Sequence, residues 1–365
     1  MYNFNRYQRQ ITLSEIGELG QQKLHGAKVL CVGAGGLGCP VLLYLNAAGI
    51  GTLGIIDDDV VSITNLHRQI LYKTSEQGQL KSLSAENQLK SNNPDVVIKS
   101  YSEKLTTKNA IAIMNDYDIV VDATDNFYVK YLINDCAVKL DKPVIFSAIN
   151  KLEAQLSVFW AKHGPCYRCV FPEQPLSNQE GNCNDNGVIG PLVGIMGSMQ
   201  ALEVIKLIIN NTFDKQHRLQ PLIGKLILLD ASDLSVTKLS ATKNIRCAVC
   251  SKQSEEIKLP IDLNNNVKYL NFSSSKNHQD CLFIDVRSKS EWEKRHIKNS
   301  LNIPLDTILK SDQGIVNVKP DKNYIVYCQS GIRALQAYKK LISLGYNNIY
   351  CINEDFSEAP ETTLN

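Results

Sequence analysis

The segment from Lys28 to Asp57 constrains the fold of this chain more than any other stretch. It reads KVLCVGAGGLGCPVLLYLNAAGIGTLGIID: an apolar strand, a G-x-G-x-x-G turn, an apolar helix and a second strand that ends in an acid. In such a unit the glycines allow a tight turn, close approach of the backbone to a phosphate and close packing of helix on strand. The N-terminus of the helix offers free N–H groups to an anion. The segment therefore predicts an α/β fold with a mainly parallel sheet and a nucleotide site.

The acid at the end of the second strand supports the nucleotide interpretation. Asp57 follows Gly38 by 19 residues, the spacing of an acid that bonds a ribose hydroxyl. The alternative is a glycine turn with a purely structural role. The segment alone also leaves the nucleotide open, because NAD would use the same loop and acid.

Size and charge narrow the class of protein. With 365 residues the chain is long enough for roughly two domains. Its 39 Lys and Arg against 37 Asp and Glu leave a net charge of +2, which provides no overall field for nucleic acid or an anionic membrane. The N-terminus has no apolar signal segment, and no run of about 18 apolar residues follows. We therefore expect a soluble, cytoplasmic protein without nucleic-acid or membrane partners.

Charged residues after the glycine loop favour a nucleotide with several phosphates. Arg68 and Lys81 follow the second strand, and Ser75 is expected to cap a helix that runs to about Leu89. Asp125 falls just beyond a further predicted strand, at the sheet edge where ligands of open parallel sheets bind. A carboxylate there can hold the magnesium that accompanies ATP. Taken singly, each cation is as readily a surface charge.

The cysteines point to metal rather than to disulfides. Eleven cysteines in a chain without a signal segment make a disulfide framework improbable. Four of them form two C-x-x-C pairs that are separated by 78 residues, Cys166 with Cys169 and Cys247 with Cys250. Four thiolates satisfy a tetrahedral zinc with no vacant position, which predicts a structural zinc site. The alternatives are four unrelated buried cysteines or a redox C-x-x-C.

A further cysteine lies between the two pairs. The stretch from Pro172 to Gly190 is polar and rich in Gly and Asn, so it is expected to be a surface loop, and it carries Cys183. This thiol either meets a substrate or is an exposed bystander. Pro191 then begins a predicted helix that runs to Asn210.

The last third of the chain predicts a second, smaller α/β domain. Residues 251–280 are rich in Ser, Asn and Lys, as linkers are. Beyond them Cys328 ends a predicted strand, and a short loop leads through Arg333 into a helix. Converging N–H groups, a helix start and a cation suit an anionic sulfur, either a thiolate or a persulfide. The spacing of five from cysteine to arginine, one fewer than in phosphatases, favours sulfur over phosphate. A buried structural cysteine is the alternative.

Residues 1–252 resemble the MoeB/ThiF family of adenylating enzymes, bacterial relatives of the ubiquitin-activating enzymes. The motifs are RYQRQ from Arg6, the glycine loop, DDD from Asp57, NLHRQ from Asn65, GQLK from Gly78, DATDN from Asp122 and both C-x-x-C pairs. Residues 266–365, after a linker over 253–265, resemble a rhodanese domain through DVR from Asp285, HIKNSLNIP from His296 and the loop from Cys328 to Arg333. The fusion is similar to MoeB–rhodanese proteins. It implies a Rossmann-like adenylation domain with structural zinc, followed by a small α/β rhodanese domain.

This resemblance implies roles for individual residues. It assigns ATP and Mg²⁺ binding to Gly33, Gly35, Gly36, Gly38, Asp57, Asp59, Asn65, Arg68, Lys81, Asp125 and Asn126. Within this set Asp57 would hold the ribose, Asn65, Arg68 and Lys81 the triphosphate, and Asp125 the magnesium. Arg9 would reach the γ-phosphate in the site of a second subunit, which implies a homodimer. Cys183 matches a crossover-loop cysteine that is proposed to take the acyl group, and Cys328 would carry a persulfide beside Arg333.

The implied reaction is adenylation of the C-terminal glycine of a small ubiquitin-like sulfur-carrier protein that ends in Gly-Gly. Sulfur from a donor such as a cysteine desulfurase would then pass through Cys328 to form a thiocarboxylate. The favoured carrier is the small subunit of molybdopterin synthase; the alternatives are the carriers of the thiamin pathway and of tRNA thiolation. An NAD-dependent oxidoreductase and a protein-binding module with two inactive sites are more distant alternatives. One departure concerns residues 351–356, CINEDF, where many relatives have a Gly-Gly turn and a tryptophan.

Overall fold

The structure is a computed structural model that describes residues 4–172, 187–211, 213–260, 267–275, 280–311, 314–316 and 318–359. Contacts divide the chain into two compact units. Among the described residues, the N-terminal unit holds 4–172, 187–211 and 213–260, and the C-terminal unit holds those from 267 onward. Both units are α/β, so the predicted fold class is confirmed. Each unit is described separately.

An eight-stranded sheet forms the centre of the N-terminal unit, in the order β3-β2-β1-β4-β5-β6-β7-β8. Its strands are β1 Lys28–Val32, β2 Thr52–Ile56, β3 Val97–Tyr101, β4 Ile119–Asp122, β5 Val144–Asn150, β6 Glu153–Phe159, β7 Lys225–Asp230 and β8 Ser235–Ser240. The pairs from β3 to β5 are parallel, and those from β5 to β8 are antiparallel. Strand β4 is buried along its whole length, as expected of a central parallel strand covered on both faces.

Helices cover both faces of this sheet. They are α1 Gln8–Ile11, α2 Gly17–Gly26, α3 Gly38–Ala48, α4 Lys81–Asn92, α5 Ala110–Asn115, α6 Phe127–Leu140, α7 Tyr167–Val170 and α8 Gly190–Ile209. Short 3-10 turns lie at Phe4–Tyr7, Ile63–Asn65, Thr74–Glu76 and Ser254–Glu256. By length and composition α8 could cross a membrane, but 61% of its apolar window is buried inside the protein. Its Met196 and Val204 are fully buried in the larger core cluster, so α8 is a core helix here.

The helix after the second strand begins later than the sequence suggested. Ser75 does not cap it, because Ser75 lies inside the 3-10 turn Thr74–Glu76. Gly78 then takes a positive φ of 84°, and Leu80 pairs with Val60 in an isolated antiparallel bridge before α4 begins. The extended backbone of Leu80 therefore provides the start of the helix, and the prediction for Ser75 was wrong.

The C-terminal unit is built on a five-stranded parallel sheet in the order β11-β10-β12-β13-β9. The strands are β9 Tyr269–Leu270, β10 Cys281–Asp285, β11 Leu301–Asn302, β12 Asn323–Tyr327 and β13 Ile349–Ile352. The helices are α9 Phe272–Ser275, α10 Lys289–Lys294, α11 Leu305–Leu309 and α12 Ile332–Ser343, with a 3-10 turn at Phe356–Glu358. In the segment that departs from many relatives, Phe356 is buried and its ring stacks on Tyr327 at 5.5 Å between centroids.

Candidate active sites

The glycine loop between β1 and α3 is shaped by close backbone approaches. Gly33 has a φ of +94°, and its N–H donates to the carbonyl of Ile56 on β2 at 2.9 Å. A Cβ on Gly38 would lie 2.1 Å from the carbonyl oxygen of Gly33, and one on Gly36 would lie 2.7 Å from Cγ1 of Val193 on α8. No side chain fits at these positions without movement. The loop therefore presents bare backbone at the carboxyl edge of the parallel strands.

Asp57 ties the end of β2 to this loop. Its Oδ2 accepts a hydrogen bond from the N–H of Ala34 at 2.7 Å, and its Oδ1 accepts one from the N–H of Asp59 at 2.9 Å. Burial raises the pKa of Asp57, while these two N–H groups and the charge of Lys81 act in the opposite direction. On the other side of the loop, the Tyr72 hydroxyl donates to the carbonyl of Ala34 at 2.7 Å. The carboxylate is thus held against the loop.

Arg68 lies over the glycine loop. A Cβ on Gly36 would be 3.5 Å from Cγ of Arg68, so the aliphatic part of the arginine covers the loop. Its Nη2 donates to Oδ1 of Asn65 at 2.7 Å, and its Nη1 is 2.8 Å from Nε2 of His67. The predicted pair Asn65 and Arg68 is therefore joined directly, with the guanidinium held in place by the preceding 3-10 turn.

Lys81, at the start of α4, reaches the same region. Its side chain is 4% exposed, and its Nζ lies 2.9 Å from Oδ2 of Asp59, whose side chain is 69% exposed. A lysine that is buried along its stem and paired at its tip is held in one position. The structure thus groups Asp57, Asp59 and Lys81 beside the glycine loop.

Asp125 lies in the loop that follows β4. This loop adjoins the glycine loop, because a Cβ on Gly33 would be 2.8 Å from the carbonyl oxygen of Ala123. The side chain of Asp125 is exposed, and among the described residues it makes no hydrogen bond or ion pair. Asn126 caps α6, since its Oδ1 accepts from the N–H of Val129 at 3.4 Å. Asp125 is therefore a free carboxylate beside the proposed phosphate site, available to a cation.

A buried ion pair under this loop was not predicted. Nζ of Lys130 on α6 lies 3.2 and 3.1 Å from Oδ1 and Oδ2 of Asp122, and both side chains are almost fully buried. Oδ1 of Asp122 also accepts from the N–H and the hydroxyl of Thr124, at 3.1 and 2.7 Å. The pair and its hydrogen bonds fix the backbone that leads to Asp125. In the sequence, the only signal was a lysine in the helix that follows the DATDN motif.

Arg9 lies in the short helix α1, and its side chain is exposed. Its action in a second subunit stays a prediction. Cys183 lies outside the described residues, so its role also stays a prediction.

The two C-x-x-C pairs meet in the folded chain. The four Sγ atoms of Cys166, Cys169, Cys247 and Cys250 all lie within 4.8 Å of one another. Sγ of Cys166 is 3.6 Å from that of Cys247, and Sγ of Cys169 is 3.4 Å from that of Cys250. Thiolates around a tetrahedral zinc, each ~2.3 Å from the metal, lie ~3.8 Å apart. The cluster has the donor set and spacing of a closed zinc site.

Hydrogen bonds between the thiols separate their acidities. The interaction with Cys250 and burial raise the pKa of Cys166, whereas hydrogen bonds from the other three cysteines, Cys166 first, lower the pKa of Cys250 to about 5.

The cluster is also anchored to α6. Arg168 makes two 2.7 Å bonds to the carboxylate of the buried Asp135, and the N–H of Tyr167 donates to Asn134 at 2.8 Å. The site thus ties α7 to α6.

In the C-terminal unit, Cys328 follows directly after β12 and is 1% exposed. Its Sγ accepts a hydrogen bond from the N–H of Ala334 at 3.3 Å, across the loop that starts α12. Gly331, at a φ of +77°, forms the turn, and a Cβ there would lie 3.1 Å from Cα of Asn353. The loop therefore curls around the sulfur and leaves no room for a side chain on Gly331.

Arg333, the predicted cation of this loop, is paired with a residue that the sequence analysis missed. Its Nη1 and Nη2 donate to Oε2 and Oε1 of Glu291 on α10, both at 2.8 Å. The guanidinium lowers the pKa of Glu291 to about 2. Glu291 stands in the SEWEK segment, 42 residues before its partner. Nothing local in the sequence links the two.

Comparison with known sequences now identifies the chain. The sequence model of the ThiF family matches residues 7–249, and that of the rhodanese-like domain matches residues 268–359. The chain belongs to the ThiF family. The resemblance drawn from the motifs is therefore confirmed, including the C-terminal rhodanese domain.

Several relatives of this ThiF-family chain carry both an adenylyltransferase and a sulfurtransferase activity in their names. It is 38% identical over 366 residues to "Adenylyltransferase and sulfurtransferase UBA4" of Meyerozyma guilliermondii, which covers 94% of this chain and 85% of the relative. It is 40% identical over 341 residues to "Adenylyltransferase and sulfurtransferase MOCS3" of Culex quinquefasciatus, covering 86% and 75%. A "Sulfur carrier protein adenylyltransferase" of Thermus thermophilus is 43% identical over 260 residues, covering 70% and 93%. The chain is an adenylyltransferase with a sulfurtransferase domain.

Solved structures share the fold. The crystal structure of E. coli MccB with ATP superposes with a TM-score of 0.58 at 23% identity, covering 69% of this chain and 76% of that one. MccB alone gives a TM-score of 0.59 at 23% identity, covering 69% and 74%. At this identity the likeness concerns the fold alone.

Proposed function

We propose that this ThiF-family enzyme uses Mg-ATP to adenylate the C-terminal glycine of a small ubiquitin-like sulfur-carrier protein. Sulfur from a persulfide on Cys328 then converts the activated glycine to a thiocarboxylate. The observation that carries the proposal is the meeting of bare glycine backbone, the Asp57 carboxylate, two cations and the free Asp125 carboxylate at one sheet edge. The class of substrate is inferred from the name of one relative, a sulfur carrier protein adenylyltransferase.

The glycine backbone and the N-terminus of α3 are assigned to the phosphates, and Asp57 to the ribose. Arg68 and Lys81 match the negative charge of the triphosphate, and Asn65 holds Arg68 in place. Asp59 and Asn126 support the site, Asp59 by pairing with Lys81 and Asn126 by capping α6. Asp125 is an oxygen ligand of the kind that Mg²⁺ prefers, and the ion, when bound, offsets phosphate charge.

In the adenylation step, a carboxylate oxygen of the carrier attacks the α-phosphorus of ATP. The bond from that phosphorus to the bridging oxygen breaks, and pyrophosphate leaves with the electron pair. The protein contributes position and charge, so no general base is needed. The terminal sulfur of the Cys328 persulfide then attacks the carbonyl carbon of the acyl-adenylate, and AMP leaves with the electron pair of the broken C–O bond, which gives an acyl disulfide on Cys328. A thiolate, either Cys183 or an external thiol, next attacks Sγ of Cys328. The S–S bond breaks, the thiocarboxylate leaves with its electron pair, and the disulfide left on Cys328 is reduced by an external thiol.

An NAD-dependent oxidoreductase is disfavoured on two grounds. Arg68, Lys81 and Asp125 form a set that a triphosphate and its metal require and a dinucleotide does not. The named relatives are adenylyltransferases. For the same reasons we set aside a binding module with inactive sites.

Zinc is assigned to the four-cysteine cluster in a structural role. All four positions are sulfur, so no place is left for a substrate. The cluster joins α7 to α6, the helix that also carries Lys130 beneath the Asp125 loop. The metal would thereby stabilise one side of the adenylation site without taking part in the chemistry.

Further assignments rest on the resemblance. They are a homodimer in which Arg9 completes the site of the second subunit, a cysteine desulfurase as sulfur donor, a cytoplasmic location, and domains at 1–252 and 266–365 with a linker at 253–265. Ile257, inside that proposed linker, is buried beside Cys166 and Cys247.

Among the carriers, the molybdopterin synthase subunit is favoured over those for thiamin and tRNA thiolation.

Carrier-dependent exchange of radiolabelled pyrophosphate into ATP tests the adenylation half. Each of the three carriers is offered with Mg-ATP, and exchange is expected with at least one. Asp125→Ala is expected to lose nearly all exchange while remaining folded, because the metal loses its protein ligand. The matched control is Asp116→Ala, an exposed aspartate at the opposite end of β4, which should keep it. Pyrophosphate exchange at the wild-type rate in Asp125→Ala would show that Asp125 is not part of the site.

A further inference from the structure

Glu291 and Arg333 form an ion pair at the end of the Cys328 loop. Two 2.8 Å hydrogen bonds join the guanidinium end-on to the carboxylate, and each side chain is 36% exposed. The carboxylate is fixed from its other side as well, since Oε2 of Glu291 accepts from the N–H and hydroxyl of Ser288 at 2.9 and 2.8 Å. The hydrogen bonds from Ser288 therefore fix the Glu291 carboxylate, and that carboxylate fixes the guanidinium of Arg333.

Another arginine, Arg287, whose guanidinium lies 5.7 Å from the ring centroid of Tyr327 next to Cys328, is also paired with a carboxylate. Arg287 bonds the buried carboxylate of Asp285, with 2.7 Å between Nη2 and Oδ2, and both side chains are almost fully buried. The residue next to Arg333 in the loop is Ile332, which is apolar and 57% exposed. The loop also exposes the uncharged Gln329 and Ser330, so that between Cys328 and Arg333 an incoming sulfur donor meets no charged side chain other than the compensated arginine. A small dianion gains little from such a surface, because a paired charge attracts weakly.

We propose that Glu291 determines donor specificity, by neutralising and holding Arg333 so that the Cys328 loop discriminates against small dianionic donors such as thiosulfate and favours persulfide donors. This inference rests on the proposed role of Cys328 as the persulfide carrier. Glu291 acts through Arg333 and is a positioning residue, not a catalytic one.

The two donor classes differ in charge but load the same atom. From thiosulfate, the Cys328 thiolate attacks the sulfane sulfur, the S–S bond to the sulfonate breaks, and sulfite leaves with the electron pair. From a persulfide R–S–SH, the same attack on the terminal sulfur releases the thiol R–SH, which retains the electron pair of the broken S–S bond. Both leave Cys328–S–S⁻. Only thiosulfate brings two negative charges to Arg333.

The test uses Glu291→Gln in the full chain, because glutamine removes the charge while it can still serve the N3 position of a capping box. Glu293→Gln is the matched control, an exposed glutamate on the same helix α10. Thiocyanate formation from thiosulfate and cyanide is compared with persulfide loading from the persulfide of 2-mercaptoethanol. In Glu291→Gln we expect kcat/KM for thiosulfate to rise about tenfold, mainly through KM, and to lose this gain at high salt.

Loading from 2-mercaptoethanol persulfide should change by less than about twofold in Glu291→Gln, and Glu293→Gln should match wild type with both donors. The double variant Glu291→Gln with Arg333→Met should lose the gain, with a kcat/KM for thiosulfate at or below that of wild type, because the gain requires a released arginine. The double variant also tests the proposal if Glu291→Gln alone folds poorly. A kcat/KM for thiosulfate above that of wild type in the absence of Arg333 overturns the proposal.

A thiosulfate rate that is unchanged or lower in Glu291→Gln also overturns the proposal, as does an equal gain in Glu293→Gln. Failure of the proposed function has a different signature. If wild type and Cys328→Ala take up the same sulfur from both donors, Cys328 is not the carrier, whatever Glu291 does.

Discussion

Lys130 and Asp122 form a buried ion pair directly beneath the loop that carries Asp125. Nζ of Lys130 lies 3.1 Å from Oδ2 of Asp122, and it also donates to the carbonyl of Ser147 at 3.0 Å. The backbone carbonyl of Asp122 accepts from Nε2 of Gln200 on α8 at 2.8 Å. The side chains of Asp122 and Lys130 and the backbone carbonyl of Asp122 together join β4, β5, α6 and α8 at the edge where we place the nucleotide.

We expect Lys130→Met to lower the free energy of unfolding by roughly 3–5 kcal/mol, because it leaves the buried Asp122 carboxylate without a partner. Lys90→Met, which removes the exposed partner of the half-buried Glu86 in an i,i+4 pair on α4, should cost only about 0.5 kcal/mol. Urea unfolding of both variants measures the difference. Equal, small losses would contradict a structural role for the buried pair.

The geometry around the glycine loop and of the cysteine cluster could be predicted where the determinants are local in sequence. The glycine loop, Asp57 and the C-x-x-C pairs each have a spacing that follows from one turn or one metal. Lys130 and Glu291 could not be found in this way. Their roles depend on which side chains the sheet brings together, and in the sequence each is one lysine or glutamate among many.

The wrong prediction for Ser75 has a similar cause. Serine before an amphipathic stretch favours a helix cap, but here Gly78 turns the backbone and the Val60–Leu80 bridge extends it first. Tertiary pairing outweighed the local preference. The same turn carries the chain to Lys81, whose placement beside Asp59 the sequence could suggest only through the family motif.

The four-cysteine cluster should hold about one zinc per chain. Metal analysis of protein purified without chelator measures this, and a metal-free protein would contradict the assignment. Cys250→Ala should lose the zinc and unfold at a lower temperature, because binding of the metal is coupled to folding. Cys281→Ala, outside the cluster, is the control and should keep the metal. The surviving folded fraction of Cys250→Ala should retain its adenylation rate.

Substitution of Arg9 tests whether the enzyme works as a homodimer with shared sites. If Arg9 acts in the site of the second subunit, Arg9→Ala and Asp125→Ala chains are each inactive, but mixed dimers contain one intact site. Random reassociation makes half of the dimers mixed, so pyrophosphate exchange should recover to at most about a quarter of wild type. Native mass spectrometry verifies subunit exchange. Absence of recovery despite exchange would show that Arg9 does not act across an interface.

The Glu291–Arg333 pair should respond to acid in a defined direction. The pKa of Glu291 falls from its ordinary 4.5 to about 2 beside Arg333, so the pair stabilises the fold fully above pH 4.5 and loses this effect as the pH falls toward 2. In a Trp160→Phe background, Trp292 fluorescence reports unfolding of the C-terminal unit. The stability advantage of wild type over Glu291→Gln should shrink over that pH range. An advantage that grows in acid would contradict the assignment.

The most direct test of the account is the intact mass of the carrier after incubation with the enzyme, Mg-ATP and a persulfide donor. With wild type, the carrier should gain the mass difference of one oxygen replaced by sulfur. With Cys328→Ala, pyrophosphate exchange should continue near the wild-type rate while the carrier gains no sulfur, since nothing in that loop is assigned to ATP. A carrier that still becomes a thiocarboxylate without added sulfide, or a Cys328→Ala enzyme that also loses exchange, would contradict two separable sites linked only by sulfur transfer.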